Sequence, residues 1–186
     1  MFFTELTAPA AELVTVAELK QQLGIAHSDD DAVLTGLLVA ARQWCEQETG
    51  AVFAQRTFRL SLDGFPEEIR LPVGPVTSIA DVRYLDQSGA QQTLSSANYL
   101  TEMTPRRSRL VPAFGTVWPL TQERINSVEV DFTAGYTTGA EAAEQAIILL
   151  AKGAYDGSAG MGVAWDEPTL MAARALLSGF YLKGYA

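Results

Sequence analysis

The side chains best suited to chemistry are carboxylates, which cluster at Asp29, Asp30 and Asp31 and at Glu67 and Glu68. Neighbouring carboxylates can bind a divalent metal ion or work as an acid–base pair. Three consecutive residues of a helix point in different directions, however, which separates the first three carboxylates. Acidic residues at a helix start also stabilise the helix dipole. We therefore expect no metal site and no catalytic pair.

Nucleophilic catalysis has equally little support. His27 is the only histidine, and the sequence identifies no orienting partner for it. Cys45 is the only cysteine, and its place on an apolar helix stripe indicates a buried thiol. Zinc-ligand spacing is absent, and the glycine-rich segment 157–162 lacks the lysine of a phosphate-binding loop. The sequence predicts no catalytic residue and no cofactor.

The composition is that of an acidic protein with enough apolar residues for a core. The chain has 186 residues, 48% of them hydrophobic, and a net charge of −9. This length suits one domain, or one domain with a sizeable insertion. No apolar run reaches the ~18 residues of a membrane span, and the basic start of a secretory signal is absent. A monomer of this charge is poorly suited to hold a phosphate backbone, although it could surround DNA without binding it.

The apolar residues of the N-terminal part of the chain have helical spacing. Residues 15–24 predict a short helix whose first residue, Thr15, forms a capping box with Glu18. Residues 28–50 predict a helix of about six turns that begins with a capping box between Ser28 and Asp31. Gly50 is expected to end it. Its apolar stripe consists of Val33, Leu34, Leu37, Leu38, Ala41, Trp44 and Cys45.

Helical spacing returns after Gly139, in a segment so apolar that it must be buried or pack on a partner chain. Gly153 near its end suggests close packing or an early finish. Pro168 opens a last helix. If the long and the late helix form one bundle, the side chains in contact are Leu37, Leu38, Ala41 and Trp44 with Ala146, Ile147 or Leu150.

Between Arg56 and Thr133 the apolar residues alternate with a period of two, which predicts β-strands. A turn at 86–89 joins two of them as a hairpin. The predicted strands are 58–62, 69–71, 76–85, 90–94, 99–102, 109–111 and 127–133.

The fold class is therefore α+β: a helical bundle with an inserted block of short antiparallel β-strands. We divide the chain into an extended N-terminal arm (1–14), a helical core (15–50 and 139–156), an inserted β-rich lobe (51–138), and a flexible linker with a C-terminal helix and tail (157–186).

Several residues are candidates for assembly contacts. Residues 1–14 form either a frayed end or an arm that docks on a neighbour through Phe2 and Phe3. A basic group is either a solvated hairpin tip or a contact for an acidic neighbour; it comprises Arg106, Arg107 and Arg109. Phe180 and Tyr181 are the candidates in the C-terminal tail.

Ordered motifs give the chain a family resemblance over about Thr15 to Asp156. The motifs have the forms FxLxLDGFP, LPxGPVxSIxxVxYLDxxG, WP and VxFTAGY, and they follow the two-helix start in that order. They lie in the segments VTVAELKQQLGI, DDDAVLTGLLVAARQWCEQETGAVFAQRTFRLSLDGFP, IRLPVGPVTSIADVRYLDQSGAQQTLSSANYL, RLVPAFGTVWP, VEVDFTAGY and AEQAIILLAKGAYD. Together they resemble the head–tail connector (adaptor) proteins of long-tailed bacteriophages, prophages and gene transfer agents. The tail, LLSGFYLKGYA, departs from the family pattern.

The resemblance implies a helical bundle of connector type and a structural role in the virion, at the head–tail junction. Connector proteins form a ring of about twelve subunits beneath the portal protein. The ring extends the DNA channel and docks the next neck or tail-completion protein. Double-stranded DNA would pass through without sequence-specific binding, and assembly would take place in the bacterial cytoplasm. No reaction, cofactor or membrane is implied.

Two other functions stay open on the sequence. The chain could be another phage neck protein, such as a stopper or tail-completion protein. It could also be a small hydrolase with its site in the β lobe.

Overall fold

The computed structural model describes residues 2–157 and 165–182, and these form the predicted α+β fold. The elements are β1 (Phe2–Glu5), α1 (Val16–Leu23), α2 (Asp31–Thr49), β2 (Arg56–Leu62), β3 (Ile69–Arg70), β4 (Val76–Leu85), β5 (Gln91–Thr93), β6 (Tyr99–Met103), β7 (Ser108–Pro112), β8 (Val128–Ala134), α3 (Glu141–Gly157) and α4 (Glu167–Leu177). Every predicted strand is present, and so is the hairpin of β4 with β5.

The chain divides into two compact units. The β unit consists of residues 2–10 and Gln55–Gly135, and the helical unit of Ala11–Ala54 and residues 136–182. The strands between β2 and β8 thus interrupt the helical segment.

Local sequence determines how the first two helices begin and end. Thr15 and Glu18 form the predicted capping box, in which the Thr15 hydroxyl oxygen accepts from the Glu18 amide at 3.2 Å. The predicted box at Ser28 is wrong: α2 follows Asp30, whose side chain makes no capping hydrogen bond. The Asp30 carboxylate accepts instead from the Tyr155 hydroxyl at 2.8 Å. Gly50 ends α2 with φ of 77°, as predicted.

The core of the helical unit forms where α3 packs against α2 and α4. The predicted contact is confirmed, because Leu37, Leu38, Ala41, Ala146, Ile147 and Leu150 are buried in one cluster. Trp44 is only partly buried against this cluster, with its ring 6.0 Å from that of Trp165. Val33, assigned to the stripe from spacing alone, is 52% exposed.

Helices α3 and α4 approach closely at Gly153. A Cβ atom added there would lie 3.4 Å from the Thr169 Cγ2 atom, so the glycine permits the contact. The predicted Pro168 start of α4 is confirmed, with Asp166 as the cap. The predicted linker of the 157–186 segment mostly lies outside the described residues; Gly157 itself ends α3.

The β unit contains two antiparallel sheets, with strand orders β1-β2-β8-β4-β5 and β3-β7-β6. The frayed-end interpretation of residues 1–14 is wrong for Phe2–Glu5, because these residues pair with β2 as an edge strand. The Phe3 ring stacks on Phe58 at 5.0 Å. Four residues are too few to show a period, so the strand was not predicted. Val14, by contrast, is buried in the helical core.

An ionic cluster crosses the centre of the five-stranded sheet. The buried Asp131 of β8 accepts hydrogen bonds from Arg59 of β2 at 2.7 and 2.8 Å, and from Arg83 of β4 at 2.5 Å. Burial raises the pKa of Asp131, but the hydrogen bonds and charges of the two arginines outweigh burial and hold the pKa below its usual value. The carboxylate therefore ties three adjacent strands together while ionised.

We predict that Leu150→Ala lowers the free energy of unfolding by about 2–5 kcal/mol, because Leu150 is fully buried between helices and the change leaves a cavity. Val33→Ala is the matched control on α2, and a cost below about 0.5 kcal/mol is expected at that exposed site. Urea denaturation followed by tryptophan fluorescence measures both. Equal costs for the two variants would contradict the described core.

We predict that the sheet loses stability on acidification through Asp131. Its pKa is lower in the folded than in the unfolded protein, so the stabilisation is complete above the unfolded value of about 3.9 and is lost as the pH falls through the folded value. Asp131→Asn should cost about 1–3 kcal/mol at pH 7 and flatten this acid dependence. Glu123→Gln, at an exposed site, is the control. The prediction is contradicted if the Asp131→Asn variant loses as much unfolding free energy on acidification as the wild type.

Candidate assembly surfaces

Three of the five carboxylates that could have formed a reactive site are used in structural contacts. Asp31 accepts a hydrogen bond from the Lys20 ammonium group at 2.7 Å, and Asp30 accepts from Tyr155. Glu68 binds arginines, as described below. Within residues 2–157 and 165–182, no three His, Cys, Asp or Glu side chains are placed to hold a metal ion.

The two remaining candidates for nucleophilic chemistry are also placed unfavourably. Cys45 is buried, as predicted, and burial, followed by the negative charge of Glu46, raises the pKa of its thiol to about 12. The thiol is therefore protonated at neutral pH. His27 is exposed, and its ring nitrogens lie 3.9 and 4.0 Å from carboxylate oxygens of Asp29 and Asp30.

Three arginines of the small sheet converge on one carboxylate. Arg109 donates to Glu68 at 2.7 Å and to Glu102 at 2.6 Å. Arg70 also binds Glu68, and Arg107 lies 3.9 Å from it. The hydrogen bonds from Arg109 and then Arg70 lower the pKa of Glu68. Three arginines thus bind two carboxylates, which leaves a positive excess.

The turn between β6 and β7 displays this positive charge. The Thr104 amide and hydroxyl both donate to the Arg107 carbonyl oxygen at 2.8 Å and close the turn. Arg106 lies exposed within it. Arg106 and Arg107 with Arg70 and Arg109 form what we call the arginine tip. Of its predicted members, Arg109 is the one most engaged by carboxylates of its own chain.

The aromatic candidates are placed differently from one another. Phe2 is 61% exposed, whereas Phe3 stacks on Phe58. Phe180 makes edge contacts with the rings of Phe53 and Tyr136, at 5.4 and 5.3 Å. The two contacts of Phe180 lie within the helical unit, and the contact of Phe3 lies within the β unit. The part that these residues play in assembly stays a prediction.

Tyr181 is partly buried beside the same cluster. Its hydroxyl donates to a carboxylate oxygen of Glu48 at 3.2 Å. Burial, and then the Glu48 charge, raise the pKa of Tyr181. Phe180 and Tyr181 therefore both pack against the helical core.

Charge is divided unequally between the two units. The helical segments 11–54 and 136–184 have 12 acidic and 5 basic side chains, a net charge of −7. The β segments 1–10 and 55–135 have 10 and 8, a net charge of −2. The helical unit therefore carries most of the charge of −9.

Sequence reasoning missed two exposed apolar surfaces. The first, which we call the apolar loop, is residues 114–120 between β7 and β8, where Phe114 is 102%, Val117 87% and Leu120 73% exposed. The second, the α4 outer face, consists of Pro168, Met171, Ala172, Ala175 and Leu176. The available signal was the high apolar content of α4, in which Glu167, Thr169 and Arg174 are the polar residues; the loop, which lacks a period, gave none.

In the part of the chain that the structure describes, no helix combines the length and the apolar character of a bilayer span.

Known proteins resemble this chain in sequence and in fold. The family model for phage gp6-like head-tail connector protein matches residues 13–103. No curated protein matches the sequence. The family match includes the two-helix start and the first two motifs, and it confirms the resemblance to head–tail connector proteins.

Three solved structures contain a similar chain, and in each the match covers 97% of this chain and 95% of the other. They are the neck of an empty GTA particle computed with C6 symmetry (27% identity, TM-score 0.78), the virion of a native gene transfer agent particle (27%, 0.77), and the neck of a native GTA particle computed with C12 symmetry (28%, 0.75). The comparisons support a structural, connector-type role in a phage-like particle.

Proposed function

We propose that this chain, which resembles the phage head–tail connector proteins, is a structural neck protein that assembles as a ring of about twelve subunits below the portal. The ring would extend the DNA channel and dock the next neck or tail-completion protein. One observation carries the proposal: from end to end, the chain shares its fold and 27–28% of its residues with a chain in solved structures of GTA necks. Symmetry of C6 and C12 in those structures supports a ring.

The arrangement of charge supports a passage for DNA. The net charge of −7 on the helical unit would be repeated around a ring. A lumen with this charge repels phosphates, so that the duplex can slide without being held. We therefore propose that DNA passes the ring without sequence-specific binding and that the chain catalyses no reaction.

The arginine tip is the best candidate among the predicted contacts for a docking surface. It is a positive site on an acidic protein, and its turn is closed by backbone and Thr104 hydrogen bonds. An acidic surface of a portal or neck protein would complement it. Phe2, as an exposed aromatic of an edge strand, is the second candidate.

We predict that the purified chain is monomeric or heterogeneous and forms a closed ring when it meets the portal protein of the same particle. Like-charged subunits repel one another, and the portal would fix their spacing. Native mass spectrometry and electron microscopy of the mixture test this. A chain that fails to bind the portal at any salt concentration would overturn the proposal. Binding to the distal side of a preformed neck alone would favour a stopper.

We predict that the double change Arg106→Glu and Arg107→Glu weakens neck assembly at least about tenfold, because charge at an interface governs encounter and register. Lys152→Glu and Arg124→Glu combined provide a control with the same number of charge reversals at other exposed sites. Melting curves should match the wild type. Equal assembly by both double variants would remove the arginine tip from the docking surface.

A further inference from the structure

The apolar loop is held in place by packing of its own residues. The Trp118 ring stacks on Phe65 at 4.9 Å with an interplanar angle of 9°, and its Nε1 donates to the Glu67 carbonyl oxygen at 3.4 Å. The Thr116 amide and hydroxyl donate to the Ala113 carbonyl oxygen at 2.9 and 2.7 Å. These contacts present Phe114 and Val117 to solvent in a fixed arrangement, so that little conformational entropy is lost on binding.

The α4 outer face is the second exposed apolar surface. Ala173 and Leu177, on the inner side of α4, are buried in the helical core. On the other side Met171 is 63% and Leu176 36% exposed. Ala172 and Ala175, which have small side chains, lie between these two larger ones and are also exposed. An exposed apolar face of this kind is a candidate for contact with a partner.

The lack of charge on the two surfaces suits a contact between two copies of this acidic chain. The unit has a net charge of −7, so two copies repel one another wherever their acidic groups come close. None of the five residues of the α4 outer face is charged, and neither is any residue of the apolar loop. Contact between these two surfaces brings two acidic copies together without burying a charge.

Ring symmetry requires this kind of pair. In a head-to-tail ring each chain uses two different surfaces, one for each neighbour. A buried aromatic side chain such as Phe114 contributes roughly 150–250 Å², against the ~800 Å² that each partner buries in a standard interface. The three exposed side chains of the loop would form the apolar centre of such an interface, within a polar rim.

We propose that the apolar loop of one copy packs on the α4 outer face of the next copy, with Phe114 seated between Met171 and Leu176. The inference rests on the ring of the proposed function and names its subunit contact.

Photo-cross-linking identifies the partner of residue 114 directly. Phe114→p-benzoylphenylalanine keeps an aromatic side chain at a fully exposed site. Full-length ¹⁴N and ¹⁵N chains, one carrying the photo-reactive residue, are mixed, assembled on the portal protein of the same particle and irradiated. We expect cross-links between chains, from residue 114 to the tryptic peptides 153–174 or 175–183, which contain α4. Leu100→p-benzoylphenylalanine, at an exposed site on β6, is the control and should not give these products.

The outcomes separate the two proposals. If a ring forms but residue 114 cross-links only to the portal protein, to other segments or within its own chain, the subunit contact is wrong and the ring stands. If no ring forms and the portal is not bound, the proposed function and the contact fail together.

Substitution gives a second, independent measurement. Phe114→Ser should leave the melting temperature unchanged, because the side chain is fully exposed, and should raise the concentration needed for ring assembly at least tenfold, as for a central aromatic contact. Leu100→Ser, also exposed, should assemble normally. Equal assembly by both variants would overturn the contact.

Discussion

The antiparallel pairing of β2 with β8 is the interaction on which the rest of the structure depends. These are the first and the last strand between the two halves of the helical unit, and they pair along their whole length, from Arg56 opposite Ala134 to Leu62 opposite Val128. Because the insert begins and ends on neighbouring strands, the chain leaves the helical segment and re-enters it with its ends side by side. The two chain segments also lie close together within the helical unit, where the Tyr136 amide donates to the Val52 carbonyl oxygen at 3.2 Å. Asp131, bound by arginines on both sides, strengthens the same pairing.

An insert closed in this way lets the two units serve different purposes. The helical unit depends on α3, which is apolar enough to be covered by both α2 and α4, and it keeps most of the acidic charge. The β unit displays the arginine tip and the apolar loop, each fixed by local hydrogen bonds or ring stacking. Fixed display of charged and apolar groups is characteristic of interfaces.

Much of this fold could be predicted from the sequence, because periodicity is a property of a few consecutive residues. The two-residue period located every strand from β2 to β8, and the capping box at Thr15 located α1. Predictions failed where a distant partner decides. Phe2–Glu5 is too short to show a period and becomes a strand only through β2. Ser28 and Asp31 do not form the predicted capping box of α2: the helix follows Asp30, and the carboxylates of Asp30 and Asp31 accept from Tyr155 and Lys20.

The assembly surfaces were less accessible to sequence reasoning, for a related reason. An arginine pair in a turn is visible as a charge pattern, so Arg106 and Arg107 could be named. Exposure of an apolar side chain is decided by what the rest of the chain leaves uncovered, so Phe114 and Met171 could not. Phe180 was named from its place near the end of the chain, and sequence reasoning missed that its ring packs against Phe53 and Tyr136; its part in assembly stays a prediction.

Electron cryo-microscopy of the particle that carries this chain tests the central claim most directly. The neck is reconstructed without imposed symmetry, with a tag on the chain to identify its density. The account predicts a closed ring of about twelve copies next to the portal, with the channel open through its centre. Tagged density elsewhere in the particle, or none in the neck, would contradict it.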